Sequence, residues 1–382
     1  MKYWRILVAG FVAALCLNVN AEETDSICYY TATPVDGEKT VSLADQLHLS
    51  KKGEKSTDWM VDVASRLQIH GYAHAGYQYQ SALGNSSNTF FLKRTIFWVN
   101  AQITPRWSFL FMHNFNSVVQ EYYTDFRATR NNLVTFRLGQ FKTAVTYENP
   151  LSPSAQESVE VYSEGVAYLA GNGNDPLSGI KYGRDLGLAV FGETNNKLFR
   201  YEVQVTNGAG VNRKDFDNAK NVIGRLELRP VQGLNICVTG QIGRGYAMVD
   251  KPIFNPTIEQ GQGYKSNRFS VGADYKSKWV NVHGEYLQGI DGNVTSRGGY
   301  FSGSVAILPQ TLEAVAGYDY FNFATGTGMD MHKVIAGLQY WFFKKCRIQL
   351  QYIYKNAYTD YTTFFNRGGN HQLVCQLQVR FN

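Results

Sequence analysis

The chain has 382 residues, a mild formal net charge of +6, 14% aromatic residues, 25 tyrosines and 36 glycines. Past the first twenty-one positions no run of about 18 apolar residues occurs, which excludes helical membrane spans but not a spanning β-barrel, whose strands give only weak hydropathy signals. Beyond that point Cys28, Cys237, Cys346 and Cys375 lie far apart with no CxxC pair, so neither a disulfide framework nor a zinc site is signalled, and the thiols read as small apolar side chains.

Residues 1–21 begin with Lys2 and Arg5, continue in an apolar core from Ile6 to Leu17 and end on small Ala21, the pattern of a secretory signal peptide cut before Glu22. Leu15 precedes Cys16 where a lipoprotein site needs a small residue, so no lipid anchor is expected. Residues 22–66 are polar and aperiodic, and are expected to form an N-terminal segment in the periplasm or tucked under the remainder.

From Leu67 the pattern changes to strict alternation. Leu67, Ile69, Ala73, Ala75, Tyr77 and Tyr79 take one parity; Gln68, His70, Tyr72, His74, Gln78 and Gln80 take the other. Period two over that length means a long strand between two different environments. Soluble strands run to about 5–6 residues, whereas about 9–11 cross a membrane at a tilt. About sixteen such segments follow, an even number as bacterial barrels have: 67–80, 89–103, 107–117, 120–129, 132–142, 182–193, 198–206, 220–230, 234–243, 267–277, 279–289, 295–307, 311–322, 331–342, 346–357 and 370–382. Short connections, such as Pro105-Arg106, Asn195-Asn196-Lys197 and Phe343-Lys344-Lys345, alternate with mostly longer ones at 81–88, 143–181, 207–219, 244–266, 323–330 and 358–369. The expectation for residues 67–382 is therefore an all-β, transmembrane antiparallel β-barrel of about sixteen strands, with long extracellular loops and short periplasmic turns, in a Gram-negative outer membrane. The last strand ends with Phe381 on the lipid parity, which resembles the recognition signal of the barrel assembly machinery.

About sixteen strands enclose an aqueous channel, so the wet parity reads as a lumen. Its basic members are Arg94, Arg127, Arg137, Arg200, Arg225, Arg229, Arg268, Lys276, Lys333, Arg347, Lys355 and Arg380; its acids are fewer, namely Asp125, Glu202, Glu227, Asp274, Glu285, Glu313 and Asp319. With Lys142 these cations form a candidate anion path, because positive groups between low-dielectric walls concentrate anions. A second reading pairs many of them with one another or places them at the rims. The longest connection, 143–181, is the candidate constriction loop, and its Glu148, Glu157, Glu160, Glu164 and Asp175 against a single Lys181 would oppose anions unless Arg137 and Lys142 answer them.

The run Arg137-Leu138-Gly139-Gln140-Phe141-Lys142, followed by Glu148 and Ser152, resembles the signature of the phosphate-selective porin O and P family. Phe91-Leu92-Lys93-Arg94, Arg184-Asp185-Leu186-Gly187, Thr206-Asn207-Gly208-Ala209-Gly210, Gly284-Glu285-Tyr286-Leu287, Gly298-Gly299-Tyr300, Leu312-Glu313 and Tyr318-Asp319 follow in that family's order. Lys93 and Gly317 stand where arginines are expected. The resemblance implies a sixteen-stranded homotrimer passing anions such as phosphate or polyphosphate. Small anionic solutes, outer-membrane lipid and lipopolysaccharide, and the assembly machinery are the expected partners; no nucleic acid and no cofactor are implied.

Rival readings rest on less. His70 and His74 share a strand face about 13 Å apart, too far to share a metal. The glycine pairs 171/173, 208/210 and 261/263 lack the third glycine and the following helix of a nucleotide site. No G-x-S-x-G elbow occurs, and a phospholipase-like barrel would have to be built around His113, which sits between Phe111 and Phe115. No catalytic residues are expected. A non-selective diffusion pore and an adhesin with a closed lumen are the remaining alternatives.

Overall fold

A computed structural model describes residue 42, residues 58–173, residue 177, residues 179–359 and residues 365–381. Residues 1–21, expected to be a signal peptide, most of 22–57, Cys28 and Asp175 lie outside the described residues. A short helix, α1 (Asp58–Ser65), leads into β1 (Leu67–Ala82). Then follow β2 (Asn85–Thr104), β3 (Trp107–Asn114), β4 (Val119–Arg127), β5 (Thr135–Lys142), the helix α2 (Glu164–Leu169), β6 (Arg184–Glu193), β7 (Phe199–Thr206), β8 (Asn221–Val231) and β9 (Leu234–Ile242). The chain continues through a three-residue β10 (Arg244–Tyr246), β11 (Gly263–Lys276), β12 (Val280–Asp291), β13 (Val294–Leu308), β14 (Leu312–Ala324), β15 (Met329–Phe343), β16 (Cys346–Thr359) and β17 (Phe365–Phe381).

Every long strand pairs antiparallel with its neighbours, and β9 joins β11 directly while β10 extends that edge. Pairing of β1 with β17, from Gly71 opposite Phe381 to Ala82 opposite Asn370, closes the sheet. The result is a closed barrel of sixteen long strands, one for each alternating segment of the sequence. Closure removes the unpaired backbone that an open sheet would leave in lipid.

The alternation decides which face is which. Leu138 is 61% exposed and Ile242 74%, and Phe301, Val305, Leu350 and Leu377 also point out of the wall. Their inward neighbours are buried and polar: Arg137, Gln241, Ser302, Ser304, Gln349, Gln376 and Gln378. An outer surface this apolar belongs in a bilayer, because it far exceeds the patch a soluble monomer carries. Leu338 sits on the outer face of β15, 45% exposed between Ala314 and Leu350. Its replacement by arginine is expected to destabilise the folded barrel by about 2–4 kcal/mol, measured by unfolding in vesicles. A change under about 0.5 kcal/mol would place that position off the midplane.

The structure corrects the loop pattern in three places. The connection expected to be long at 81–88 is a two-residue turn, Leu83 and Gly84, both with positive φ (51° and 82°). The flanking strands run up into Asn85, Ser86, Ser87 and Asn88, whose polar side chains read as loop in the sequence but make an extended hairpin. The stretch 323–330 is half strand, leaving 325–328 as the turn, and of the connection expected at 358–369 residues 358–359 and 365–369 are strand. Elsewhere the long connections remain, after β5, β7 and β10.

Two departures from strict alternation position charged groups. Opposite His74 and Ala75 the register of β2 shifts between Leu92 and Arg94, the mark of a β-bulge, so Lys93 and Arg94 both serve the inside. In β5, Gly139 adopts φ 136°, and a Cβ there would meet the Tyr122 carbonyl oxygen at 2.3 Å. After it Gln140, Phe141 and Lys142 are buried in succession, which carries Lys142 inward although its parity with Arg137 is opposite.

Candidate functional site

Residues 143–183 leave the wall after β5 and fold into the barrel. Their backbone amides and carbonyls would be stranded there without partners, and the wall supplies them. Tyr147 N–H donates to Glu285 Oε1 on β12 at 2.5 Å, and Glu164 N–H donates to Asp319 Oδ2 on β14 at 2.6 Å. Ser163 caps α2, its Oγ accepting from Val166 N–H at 3.2 Å, while its own N–H donates to Glu148 Oε2 at 2.8 Å. The helix packs against β12, β13 and β14 through Val166, Tyr168 and Leu169, which cluster with Leu287, Tyr300, Phe321 and Phe323.

On the other side, the stretch 154–159 is held by β16, β17 and β2. Arg347 Nη2 donates to the carbonyls of Ser154 (3.2 Å) and Gln156 (2.5 Å). Gln349 and Gln351 donate their amides to the Glu157 carbonyl at 2.8 and 2.6 Å, and Val159 N–H donates to Gln351 Oε1 at 2.9 Å. Arg380 Nη1 reaches Ser154 Oγ at 3.1 Å, and Lys93 Nζ reaches the Val159 carbonyl at 2.8 Å. The loop thus crosses the lumen from β5 and is anchored both to β16–β17 and to β12–β14.

The loop carboxylates are answered one by one. Lys333 Nζ lies 3.3 Å from Glu160 Oε2, 3.2 Å from Glu164 Oε1 and 3.2 Å from Asp319 Oδ2. Lys355 Nζ lies 2.9 Å from both Glu160 Oε1 and Glu164 Oε1. Burial works against ionisation of Glu160, but Lys355 and Lys333 prevail and hold its carboxyl below the usual range. Glu148 behaves oppositely: burial pushes its carboxyl well above that range, against its bond from Ser163 N–H, with Glu285 adding to the rise. Glu157 accepts from Asn281 and lies 3.5 Å from His283 Nδ1.

Most of the candidate path residues turn out to be anchors. Arg137 makes a bidentate pair with Asp125 (2.7 and 2.8 Å), its guanidinium 3.7 Å from the centre of the Tyr123 ring. Lys142 donates to the carbonyls of Asn149 and Leu151 at 2.9 and 2.6 Å. Arg225 pairs with Glu227 at 2.7 Å and holds the Thr146 carbonyl at 2.6 Å; Arg268 pairs with Asp291 at 2.9 Å and holds the Leu169 carbonyl at 3.1 Å. Arg127, Arg200, Lys276 and Arg380 stand half-buried near the short-turn rim. Arg94 is half-buried at the β2 bulge, with Nη1 lacking a hydrogen-bond partner. The structure therefore gathers Lys333, Lys355, Glu160 and Glu164 into one cluster with Asp319, and leaves Arg127, Arg200 and Lys276 away from it.

Several contributors were not among the candidate path residues: Lys93 and Arg184, read only as parts of motifs, the latter paired with Glu121 (2.8 Å), then His283, and the row of Gln339, Gln349, Gln351, Gln376 and Gln378. The glutamines carried a legible signal, because Gln-Leu-Gln occurs at 349–351 and again at 376–378 on the wet parity. His70 stacks on Trp98 and His74 Nε2 lies 3.0 Å from Gln378 Oε1, so both serve the inner wall. Outward His113 packs edge-on to Phe115.

No family model and no curated protein matches the sequence. Among solved structures, the chain is similar to an anion-selective porin from Comamonas acidovorans, with a TM-score of 0.60 at 10% identity over 82% of this chain and 99% of that one. It is also similar to OprB of Pseudomonas putida (TM-score 0.59, 8% identity, 85% and 96% covered). A third is the trimer form of OmpT, an outer membrane protein of Vibrio cholerae (TM-score 0.56, 14% identity, 82% and 99% covered). At these identities the likeness is one of fold, and the fold is that of the outer-membrane porin barrels.

Proposed function

We propose that this protein is a passive diffusion porin of the Gram-negative outer membrane, admitting small hydrophilic solutes with a preference for anions such as phosphate or polyphosphate. Solute crosses down its own gradient, without covalent chemistry or cofactor. The observation that carries this reading is the inward loop: a barrel of this size, with a polar inner wall, narrowed by a segment tied to the opposite side. The anion preference draws support from the neutralisation of the loop. Glu160 and Glu164 are matched by Lys333 and Lys355, which offsets part of the negative charge the loop presents to anions, while Lys93 and Arg94 stand together at the β2 bulge. Assembly as a homotrimer, contact with lipopolysaccharide and delivery by the barrel assembly machinery belong to the same proposal.

The reversal potential in planar bilayers under a phosphate gradient tests both parts. An anion-signed potential is the expected result. A cation-signed potential would remove the preference and keep the pore, whereas a reconstituted barrel that carries no current would remove the pore itself.

A further inference from the structure

His283 projects inward from β12 and is only 6% exposed, a position where an imidazole needs defined partners. Its two ring nitrogens face two carboxylates of the loop: Nδ1 lies 3.5 Å from Glu157 Oε2, and Nε2 lies 3.9 Å from Glu148 Oε1. Eight residues of loop lie between these acids in sequence, so the ring stands between two different passes of the constriction segment. Each acid already spends its other oxygen on a neutral donor, Asn281 for Glu157 and Ser163 N–H for Glu148. The oxygens turned to the imidazole are the ones left over.

Both contacts are longer than hydrogen bonds, and Nε2 has no hydrogen-bond partner. Beside it is a cavity of about 20 Å³, room for roughly one water, whose lining includes Glu148, Gln156, Ser163, His283 and Ser302. Gln156 Nε2 and Ser302 Oγ also lack partners there. The rings of Tyr147 and Tyr300 flank it, their centroids 6.1 and 5.8 Å away.

We infer that His283 is a positioning residue for the constriction loop: by taking up a proton it bonds Glu148 and Glu157 together to β12 and makes permeation depend on pH. This rests on the porin reading above. A neutral imidazole has one N–H and can donate to one carboxyl group; an imidazolium has two, attracting the Glu157 carboxylate and donating as well to an oxygen of the Glu148 carboxyl, which burial biases toward its protonated form. Proton uptake draws the two passes of the loop onto the wall, and proton loss releases one of them. The charged and titratable groups facing the ring are Glu148, Glu157 and Tyr147 from the loop, Asp274 from β11, Glu285 from its own strand and Tyr300 from β13. Asp319 and Lys333 line the same cavity from β14 and β15. Around the ring acids predominate, and Lys333 is already committed to Glu160, Glu164 and Asp319.

The test compares wild type with His283→Gln, whose amide spans one carboxylate and takes up no proton. Hydrogen exchange of residues 146–160 in detergent micelles, corrected for the intrinsic pH effect, is expected to be about tenfold slower at pH 5 than at pH 8 in wild type, the weight of one charge-assisted hydrogen bond. In His283→Gln the difference should vanish. In bilayers, closures of the wild-type channel should become more frequent between pH 5 and pH 8, and the variant should show the pH 8 behaviour throughout. A variant that keeps the wild-type pH profile, or a wild type with pH-independent exchange, overturns the inference. Exchange needs no current, so a silent barrel with pH-dependent protection would remove the porin reading and leave the latch standing.

Discussion

Replacing Lys333 with methionine is expected to destabilise the folded barrel by about 3–5 kcal/mol, the cost of leaving a buried ion cluster with one partner removed. Lys333 is 1% exposed and lies within 3.3 Å of three carboxylates. Methionine keeps its length, so packing changes little and the loss is electrostatic. Lys355 alone then answers Glu160 and Glu164, and Asp319 loses its lysine. Urea unfolding in detergent measures the effect, with Lys355→Met, at a half-buried site, as the milder comparison. A loss below about 1 kcal/mol would mean that water reaches the cluster and screens it.

The pH dependence of that cluster has a definite sign. Glu160 is held below the usual carboxyl range, so its contribution is fully present above the value of the unfolded chain and is lost as acidification passes through the folded one. Wild type and Lys333→Met should therefore converge in stability in acid. Glu148 runs the other way: its raised carboxyl favours the protonated form, and its contribution is fully present below the value of the unfolded chain and is lost as pH rises through the folded one. Glu148→Gln should accordingly be stabilising near neutrality, while removing one arm of the His283 contact.

Excising residues 144–182 and joining Thr143 to Gly183 through two glycines should raise single-channel conductance about two- to fivefold, since a barrel of this strand number is wide once its lumen is cleared. The join is short because Thr143 N–H already donates to the Gly183 carbonyl at 3.0 Å. Glu285, Asp319, Lys333 and Arg347 lose their loop partners, yet water enters with the same cut and hydrates them, so the penalty is far smaller than for a point change in an intact core. Unchanged conductance would show that the narrowest point lies elsewhere.

The barrel was legible because its physics is repetitive. A wall with lipid on one side and water on the other forces period two on every strand, and the segments from Leu67 to Phe381 show it. What broke the period was not legible. Lys93 and Arg94 share a side only because β2 bulges, and Lys142 turns inward only after Gly139 takes a φ that a side chain would resist. The 85–88 hairpin was misread since polar residues signal a loop and equally signal a strand standing clear of the membrane. The loop acids could be counted in advance, but their partners could not. Lys333 and Lys355 are about 170 to 190 positions away from Glu160 and Glu164, and only closure of the barrel brings them together.

The grip of β16 on the loop has a further consequence. Gln349 and Gln351 hold the Glu157 carbonyl with uncharged amides, and dissolved ions weaken attraction between charges far more than bonds between neutral dipoles. In brine the accessible charged contacts of the barrel soften while this end of the segment keeps its seat. The channel should therefore hold its bore across a wide range of ionic strength, even as its discrimination between ions fades.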